Sequence, residues 1–275
     1  MKGAAWKRFR RSRLATAAVG YVVMVTLVAM AAPLLAPYAP DFMNLPDHLQ
    51  QPTRRHLLGT DELGRDVLAR MIYGSRVSLL VGYSATALSL IIGSFLGAIA
   101  GYYRGVADWI VSRLIEIVLC FPFLFLVLGI VALFKPSLYT ILIALALTSW
   151  TTEARFVRAE FLRIRELEYA QAARASGAGD SRIIFRHLLP NALAPVIVSA
   201  SFGVASAILA ESALSFLGFG VALPTPSWGS ILAVAREFID AWWLVVFPGV
   251  AIFLTVAAFN LIGDRLRDVL DPKGD

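Results

Sequence analysis

An all-α protein carried in a membrane by several helices is the fold class that the sequence predicts, and three observations predict it. Of 275 residues, 58% are hydrophobic and only 16% are charged, with a mean hydropathy of +0.71; soluble domains average roughly 25% charge. The stretches free of charge are long enough for helices that cross a bilayer, which takes roughly 20 apolar residues. Lys and Arg concentrate in some connecting segments and avoid others, as they do on the two sides of a membrane. The same composition excludes a soluble enzyme and a disordered chain, because too few polar residues remain to cover a water-facing surface.

Six stretches without Asp, Glu, Lys, Arg or His are expected to be spans: Leu14 to Pro40, Val77 to Tyr103, Ile117 to Phe134, Pro136 to Thr152, Leu188 to Ala210 and Ala241 to Gly263. A further uncharged stretch, Ser212 to Ala235, contains Gly218, Gly220, Pro224, Pro226 and Gly229. Its interrupted backbone would leave polar groups unpaired in lipid, so it reads as a loop or re-entrant segment. Six spans place both termini on one side. The acid-free head with Lys2, Lys7, Arg8, Arg10, Arg11 and Arg13 puts that side in the cytoplasm. Arg54, Arg55, Arg65, Arg70 and Arg76 are the exception on the outer side. The apolar run after the basic head is too long for a signal-peptide core of about 7–15 residues.

This arrangement predicts a cytoplasmic tail at 1–13, a first helix and its exit at 14–40, and an extracytoplasmic segment at 41–76. A five-helix core follows at 77–263, with a cytoplasmic loop at 153–187 inside it, then a cytoplasmic tail at 264–275. The expected location is a cell membrane, spanned several times and surrounded by lipid, with both termini in the cytoplasm. The positive charge is accounted for by orientation, and no nucleic-acid partner is expected.

Chemistry is sparse. Cys120 is the only cysteine, and with His48, His56 and His187 scattered it cannot form a disulfide or a zinc site of ordinary spacing. A phosphate-binding loop needs Gly-Lys followed by Ser or Thr, and none of Lys2, Lys7, Lys135 and Lys273 has that setting. The chain therefore carries no such nucleotide site, and any ATP used must be held by another chain. Ion-coupled carriers place ionisable groups within their spans; here Glu116 and Glu211 come nearest, and both read as helix-end or interior groups. Ser199, Ser201 and Ser206 in the fifth span read as helix-packing hydroxyls. No catalytic, cofactor-binding or metal-binding residue is expected.

Glu153 to His187 is the most polar segment, with seven arginines (155, 158, 163, 165, 174, 182 and 186). Glu166 to Ser176 is rich in helix formers, Gly177 offers a stop, and Asp180 or Ser181 can cap a second helix. Small residues and arginines suit the approach of another protein; the same residues would also suit a solvated loop that only fixes orientation.

Gln171-Ala-Ala-Arg-Ala-Ser-Gly177, followed after nine residues by His187-Leu-Leu-Pro190, resembles the Glu-Ala-Ala loop of ABC importer permeases. Ala172, Ala173, Gly177, Leu189 and Pro190 match that pattern; Gln171 and His187 depart from it, standing where the family has Glu and Ile. Arg186 to Asn191, Leu58 to Asp66 with Arg70, Gly74, Arg76 and Ser78, Glu211 to Gly220 with Pro224 to Gly229, and Gly263 to Asp268 with Asp271-Pro272 resemble the peptide and nickel branch, in its second permease subunit. The resemblance implies a type I ABC importer permease fold. It implies a transport subunit and not an enzyme, working with a second homologous permease, two cytoplasmic ATPase subunits that hold ATP and magnesium, and an extracytoplasmic substrate-binding protein. Cargo would be a dipeptide or oligopeptide, with nickel chelates and glutathione in the same branch. Gln171, Ala172, Ala173, Gly177, Ala178, Gly179, Asp180 and Arg182 would form the ATPase-coupling loop. Arg65, Arg76, Glu211 and Trp228 are candidates for contacts with the binding protein or for a gate. A secondary transporter or channel without an ATPase is the alternative; an exporter half or an intramembrane enzyme fits less well.

Overall fold

The computed structural model describes residues 12–222 and 224–270. The basic residues Lys2 to Arg11 and the Asp271-Pro272 pattern with Lys273 lie outside them. Helices account for almost all the regular structure among the described residues; the sole extended pairing there is an isolated bridge between Thr60 and Asp66.

Helix α1 (Arg13–Met30) starts where Ser12 accepts a hydrogen bond from the Ala15 amide, and it yields to the short α2 (Ala32–Leu35) with Pro33 in its first turn. Irregular chain with one 3₁₀ turn (Leu45–Asp47) then crosses one end of the molecule. Helix α3 (Val67–Tyr103) has 37 residues and begins ten positions before the apolar stretch, because the Asp66 carboxylate caps it by accepting from Ala69 at 2.8 Å. At a rise of 1.5 Å per residue it is about 55 Å long, well beyond a hydrocarbon core of about 30 Å, so one or both of its ends stand outside the apolar layer.

The expected third span is not one straight helix. Residues Gly105–Leu119 form α4 and Phe123–Phe134 form α5, with an 87° bend between them. Pro122 explains the break: it has no amide to donate and it disfavours helical geometry at Phe121. The fourth stretch continues past Thr152 as α6 (Leu138–Ile164), so the first part of the expected polar loop is helix. Helices α7 (Glu168–Ala175) and α8 (Asp180–Arg182) follow, then a π-helical turn (Ile183–Leu188), α9 (Leu189–Phe216), α10 (Trp228–Val234) and α11 (Trp243–Leu270). Among the described residues four helices are long and apolar enough to cross a membrane: α1, α3, the Pro195–Phe216 part of α9, and α11; the bent pair makes a fifth if taken as one crossing. The expected span at Pro136 to Thr152 falls on α6, which is not among these helices; its second half carries Glu153, Arg155, Arg158, Glu160 and Arg163.

The α3–α6 contact is the largest in the fold. Gly93, Gly97 and Gly101 recur every four residues on one face of α3. A Cβ at these positions would lie 2.5 Å from Glu153 Cβ, 2.5 Å from the Ala154 carbonyl oxygen and 2.6 Å from Phe161 Cβ. The glycines therefore bring the two backbones closer than any side chain would permit, the way small residues build helix contacts in lipid. Earlier along α3 the helix meets α9, where Gly82 faces Ile208 and Gly203 faces Thr86. Helices α1 and α11 complete the bundle. The Tyr21 and Thr255 hydroxyls lie 3.2 Å apart, and those of Thr26 and Tyr83 lie 3.1 Å apart.

One end of the bundle is closed by a buried polar network. Arg65 donates to Asp61 at 2.7 Å and to Glu62 at 2.8 Å, and Arg70, 1% exposed, lies 3.3 Å from Asp61. His56 Nδ1 lies 2.9 Å from Asp66, the residue that caps α3. Burial, then the neighbouring Asp61 carboxylate, raises the Glu62 carboxyl above its ordinary value. Trp243 and Trp228 are buried and donate their indole N–H groups to Thr60 O at 2.9 Å and Met71 O at 3.1 Å. Tryptophans near a span end suit a belt at the lipid interface, and Trp242 is exposed; Trp228 and Trp243 pack inside instead, where each indole N–H finds a carbonyl.

Replacing Gly97 by Leu is expected to lower the thermal unfolding midpoint in detergent by an amount equivalent to about 1–3 kcal/mol. At Gly20 an added Cβ would meet no atom within 4 Å, so the same replacement should cause no loss. Equal midpoints for the wild-type chain and Gly97→Leu would contradict the close-contact account.

Candidate functional site

Residues 165–188 connect α6 to α9 at the end of the bundle opposite the buried ion network. Helix α7 ends in a two-bond stop: the Ala178 amide donates to Ala173 O at 3.1 Å and the Gly177 amide to Arg174 O at 3.0 Å. Gly177 has φ +81, the left-handed conformation this stop requires and glycine adopts at least cost. The Ser176 hydroxyl reaches back to Ala172 O at 3.0 Å. Gly179 then caps α8, and the chain enters a π-helical turn, a rare geometry that favours functional sites.

This element is anchored on one face and open on the other. Ala170, Ile183 and Leu188 are buried against Ala98, Tyr102, Val157 and Phe161. The Tyr102 hydroxyl at the end of α3 donates to Asp180 at 2.6 Å, and the Arg174 guanidinium lies over the Tyr102 ring at 5.5 Å. Arg165 donates to Tyr102 O at 2.8 Å. Of the residues expected to form a docking loop, Gln171, Ala172, Gly177, Gly179, Asp180 and Arg182 are exposed, while Ala173 and Ala178 are half-buried. Beside them Phe185 is 65% exposed, and Leu167 and Tyr169 are exposed as well. Apolar side chains of that size, adjoining arginines, make a surface that suits another protein.

A cavity of about 1100 Å³ lies among α3, α6 and α9, reaching Arg163 on α6, Asn191 on α9 and Arg267 on α11. Its wall is largely apolar with hydroxyl side chains set into it, including Thr148, Ser199 and Ser206. Of the three serines of the fifth expected span, Ser199 and Ser206 face this cavity. Glu153, 6% exposed, also lines it. By charge pattern alone Glu153 is the first residue of a polar loop. The continuation of α6 carries it into the bundle instead, and Thr151-Thr152 ahead of it is the one local signal of a polar interior.

The four remaining candidates separate. Glu211 and Trp228 are brought together at the ion-network end. Glu211 is fully buried and accepts from Ser78 at 3.1 Å and Ser215 at 2.7 Å, and the Trp228 amide lies 3.4 Å from the Ser78 hydroxyl. Ser227 caps α10 in a reciprocal box and touches Ser215 at 3.2 Å. The glycine- and proline-rich stretch therefore becomes a half-helix tied to α3 and α9 through a carboxyl–serine cage. Arg65 is 3% exposed and holds Asp61 and Glu62, so it is a strut of this end and offers no surface contact. Arg76 is exposed. Glu116 pairs with Arg113 on an exposed face of α4.

Residues 93–274 match the family described as the binding-protein-dependent transport system inner membrane component. Residues 3–52 match the N-terminal transmembrane domain of oligopeptide transport permease C. The dipeptide transport system permease protein DppC of Alkalihalophilus pseudofirmus is 45% identical over 98% of this chain and 89% of its own length. The di/tripeptide permease DppC of Pseudomonas aeruginosa is 44% identical, over 98% and 91%. The glutathione permease GsiD of Pectobacterium atrosepticum is 39% identical, over 98% and 90%. Among solved structures, the inward-facing MetNI methionine ABC transporter shares the fold with a TM-score of 0.56 at 18% identity, over 72% of this chain and 95% of that one. An amino acid ABC transporter with histidines has the same TM-score at 16% identity, over 72% and 92%.

Tyr102→Phe removes the hydroxyl that holds Asp180. It is expected to raise amide hydrogen-exchange rates in residues 178–184 about fivefold, the equivalent of one hydrogen bond. Unchanged exchange there would show that the apolar anchor alone fixes the element.

Proposed function

The chain belongs to the binding-protein-dependent transport inner membrane component family and is a permease subunit of an ABC importer, and from that premise we propose that residues 166–188 form the seat of a cytoplasmic ATPase and that the cargo is a short peptide. The observation that carries the docking assignment is the continuity of this element with α6 on one side and α9 on the other, the helices that wall the cavity. A rigid push on the element has no slack to absorb it: Schellman-type bonds stiffen its centre, and Tyr102 ties it to α3. Gln171, Ala172, Gly177, Gly179, Asp180 and Arg182 form the exposed contact, with Ala173 and Ala178 beneath them.

In this reading the element faces the cytoplasm, and both termini lie on that side. The arginine-rich composition of residues 153–187 supports the orientation. The ion-network end, with the segment ahead of α3 and the half-helix α10, faces outward, where a substrate-binding protein delivers cargo; exposed Arg76 is a candidate contact, and the Glu211 cage with Trp228 is a candidate outer gate. A second, homologous permease completes the pathway, lipid surrounds both, and two ATPase subunits hold the ATP and magnesium. When the ATPases close on each other they carry the element with them, α6 and α9 tilt, and the cavity exchanges access between the two sides. Peptide cargo is supported by the relatives, whose names specify dipeptides, di/tripeptides and glutathione.

The test uses the assembled importer in liposomes. Gly177 has open space around it, so Gly177→Val imposes mainly the backbone strain of a left-handed residue, about 1–2 kcal/mol. Membrane insertion is expected to persist while binding-protein-stimulated ATP hydrolysis and peptide uptake fall at least fivefold. Wild-type stimulation in this variant, or full recovery of the ATPases with a chain altered across Ala172 to Arg182, would overturn the docking assignment.

A further inference from the structure

Glu153 has features that the coupling and gating roles leave unused. It is 6% exposed and lines the cavity. Its hydrogen-bond partner is the Ser199 hydroxyl, 2.6 Å from Oε2. Among the described residues no basic side chain forms an ion pair with it: Arg158 is taken by Asp108, and Arg163 by Glu160. Arg155, two positions along the same helix, is exposed. A buried carboxylate without a cation is costly, and an ionisable group inside a membrane bundle marks a functional site by default.

The Thr86 hydroxyl on the cavity wall has no hydrogen-bond partner among the described residues, and three others commit their hydrogens to backbone carbonyls: Thr148 to Ala144 at 2.8 Å, Thr151 to Thr148 at 3.5 Å, Ser89 to Ala146 at 3.4 Å. Each hydroxyl oxygen is then left with its lone pairs. The basic residues that reach the cavity, Arg163 and Arg267, sit near the ends of α6 and α11. Between those ends the wall offers hydrogen-bond acceptors, and Glu153 is a carboxyl group there without a basic partner. Gly93 makes this placement possible, since a side chain there would collide with Glu153 Cβ at 2.5 Å.

We propose that Glu153, with Ser199 orienting it, forms a subsite in the cavity that receives a primary ammonium group of the cargo. Such a group has three donors and no acceptor, which matches a wall of acceptors, and it supplies the missing positive charge. The assignment rests on the peptide reading above: short peptides carry this group at their amino terminus. Glu153 would act after the binding protein has released its cargo, so it would influence passage and leave selection at the binding protein untouched.

The experiment measures uptake of a radiolabelled dipeptide with a free amino terminus by the complete importer in liposomes. The binding protein is wild type throughout, and basal ATP hydrolysis reports assembly. Glu153→Gln keeps the size and an acceptor for Ser199 but removes the charge; it is expected to reduce the uptake rate about tenfold to a hundredfold, the loss of a charged hydrogen bond. Glu153→Asp keeps the charge and is expected to retain most of the activity. Uptake by Glu153→Gln at the wild-type rate overturns the subsite, as does the reverse pattern, Gln active and Asp inactive, which would mark a packing role. Should Glu153→Gln fail to assemble, Ser199→Ala, which leaves the charge and frees its orientation, is expected to slow uptake at least threefold, and a wild-type rate there overturns the proposal. If the wild-type importer takes up no free-amino peptide at all, the cargo reading fails first and the ammonium assignment falls with it.

Discussion

The close contact of α3 with α6 is the constraint on which the remaining structure depends. Three glycines, Gly93, Gly97 and Gly101, place the α6 backbone where side chains would otherwise stand. In lipid there is little hydrophobic drive to bring apolar helices together, so such fits carry helix association. The fit sets the position of everything attached to α6. It brings Glu153 to the cavity wall, puts Phe161 against Gly101, and delivers the end of α6 to Tyr102, where the proposed docking element begins. A slip of one residue would carry each of these groups about 100° around the helix.

Two buried carboxyl groups are treated differently by this framework. Glu211 is enclosed, with Ser78 and Ser215 on its oxygens and Ser227 behind them, and its surroundings tie the half-helix α10 to α3 and α9. Glu153 faces an open cavity and has one serine. The first arrangement suits a joint between helices, the second suits a group that meets something passing. Both lie on helices that residues 165–188 join, Glu153 on α6 and Glu211 on α9.

The local features of the docking element are legible from residues alone. A helix over Glu166 to Ser176 and a stop at Gly177 follow from propensity and positive-φ tolerance, and the structure has α7 over Glu168–Ala175 and Gly177 at φ +81; the cap expected at Asp180 or Ser181 falls instead on Gly179, and Asp180 is the first residue of α8. The tie from Asp180 to Tyr102 is not legible, since the two are 78 positions apart. The bend at Pro122 is written in the sequence, but an unbroken apolar run on both sides of the proline hides it. The early start of α3 is hidden for the opposite reason: Arg70 and Arg76 interrupt the otherwise largely apolar run from Val67 to Arg76, yet Arg70 pairs with Asp61 from a loop that wraps back over it.

The sequence by itself determined the class: a helical membrane chain, its clear spans, its lack of a phosphate-binding loop, and a family pattern concentrated where backbone geometry is special. These are local or compositional properties, fixed by hydropathy over some 20 residues and by the conformational limits of Gly and Pro. Only the tertiary structure decided which polar groups are inside. Arg65, Glu153, Glu211 and Trp228 all fall outside the six expected spans, yet all four are buried, because burial depends on which distant element lies opposite and whether it offers a glycine, a serine or a carboxylate at that height. Such contacts are pairwise and long-range, and no single segment of the chain contains the information that fixes them.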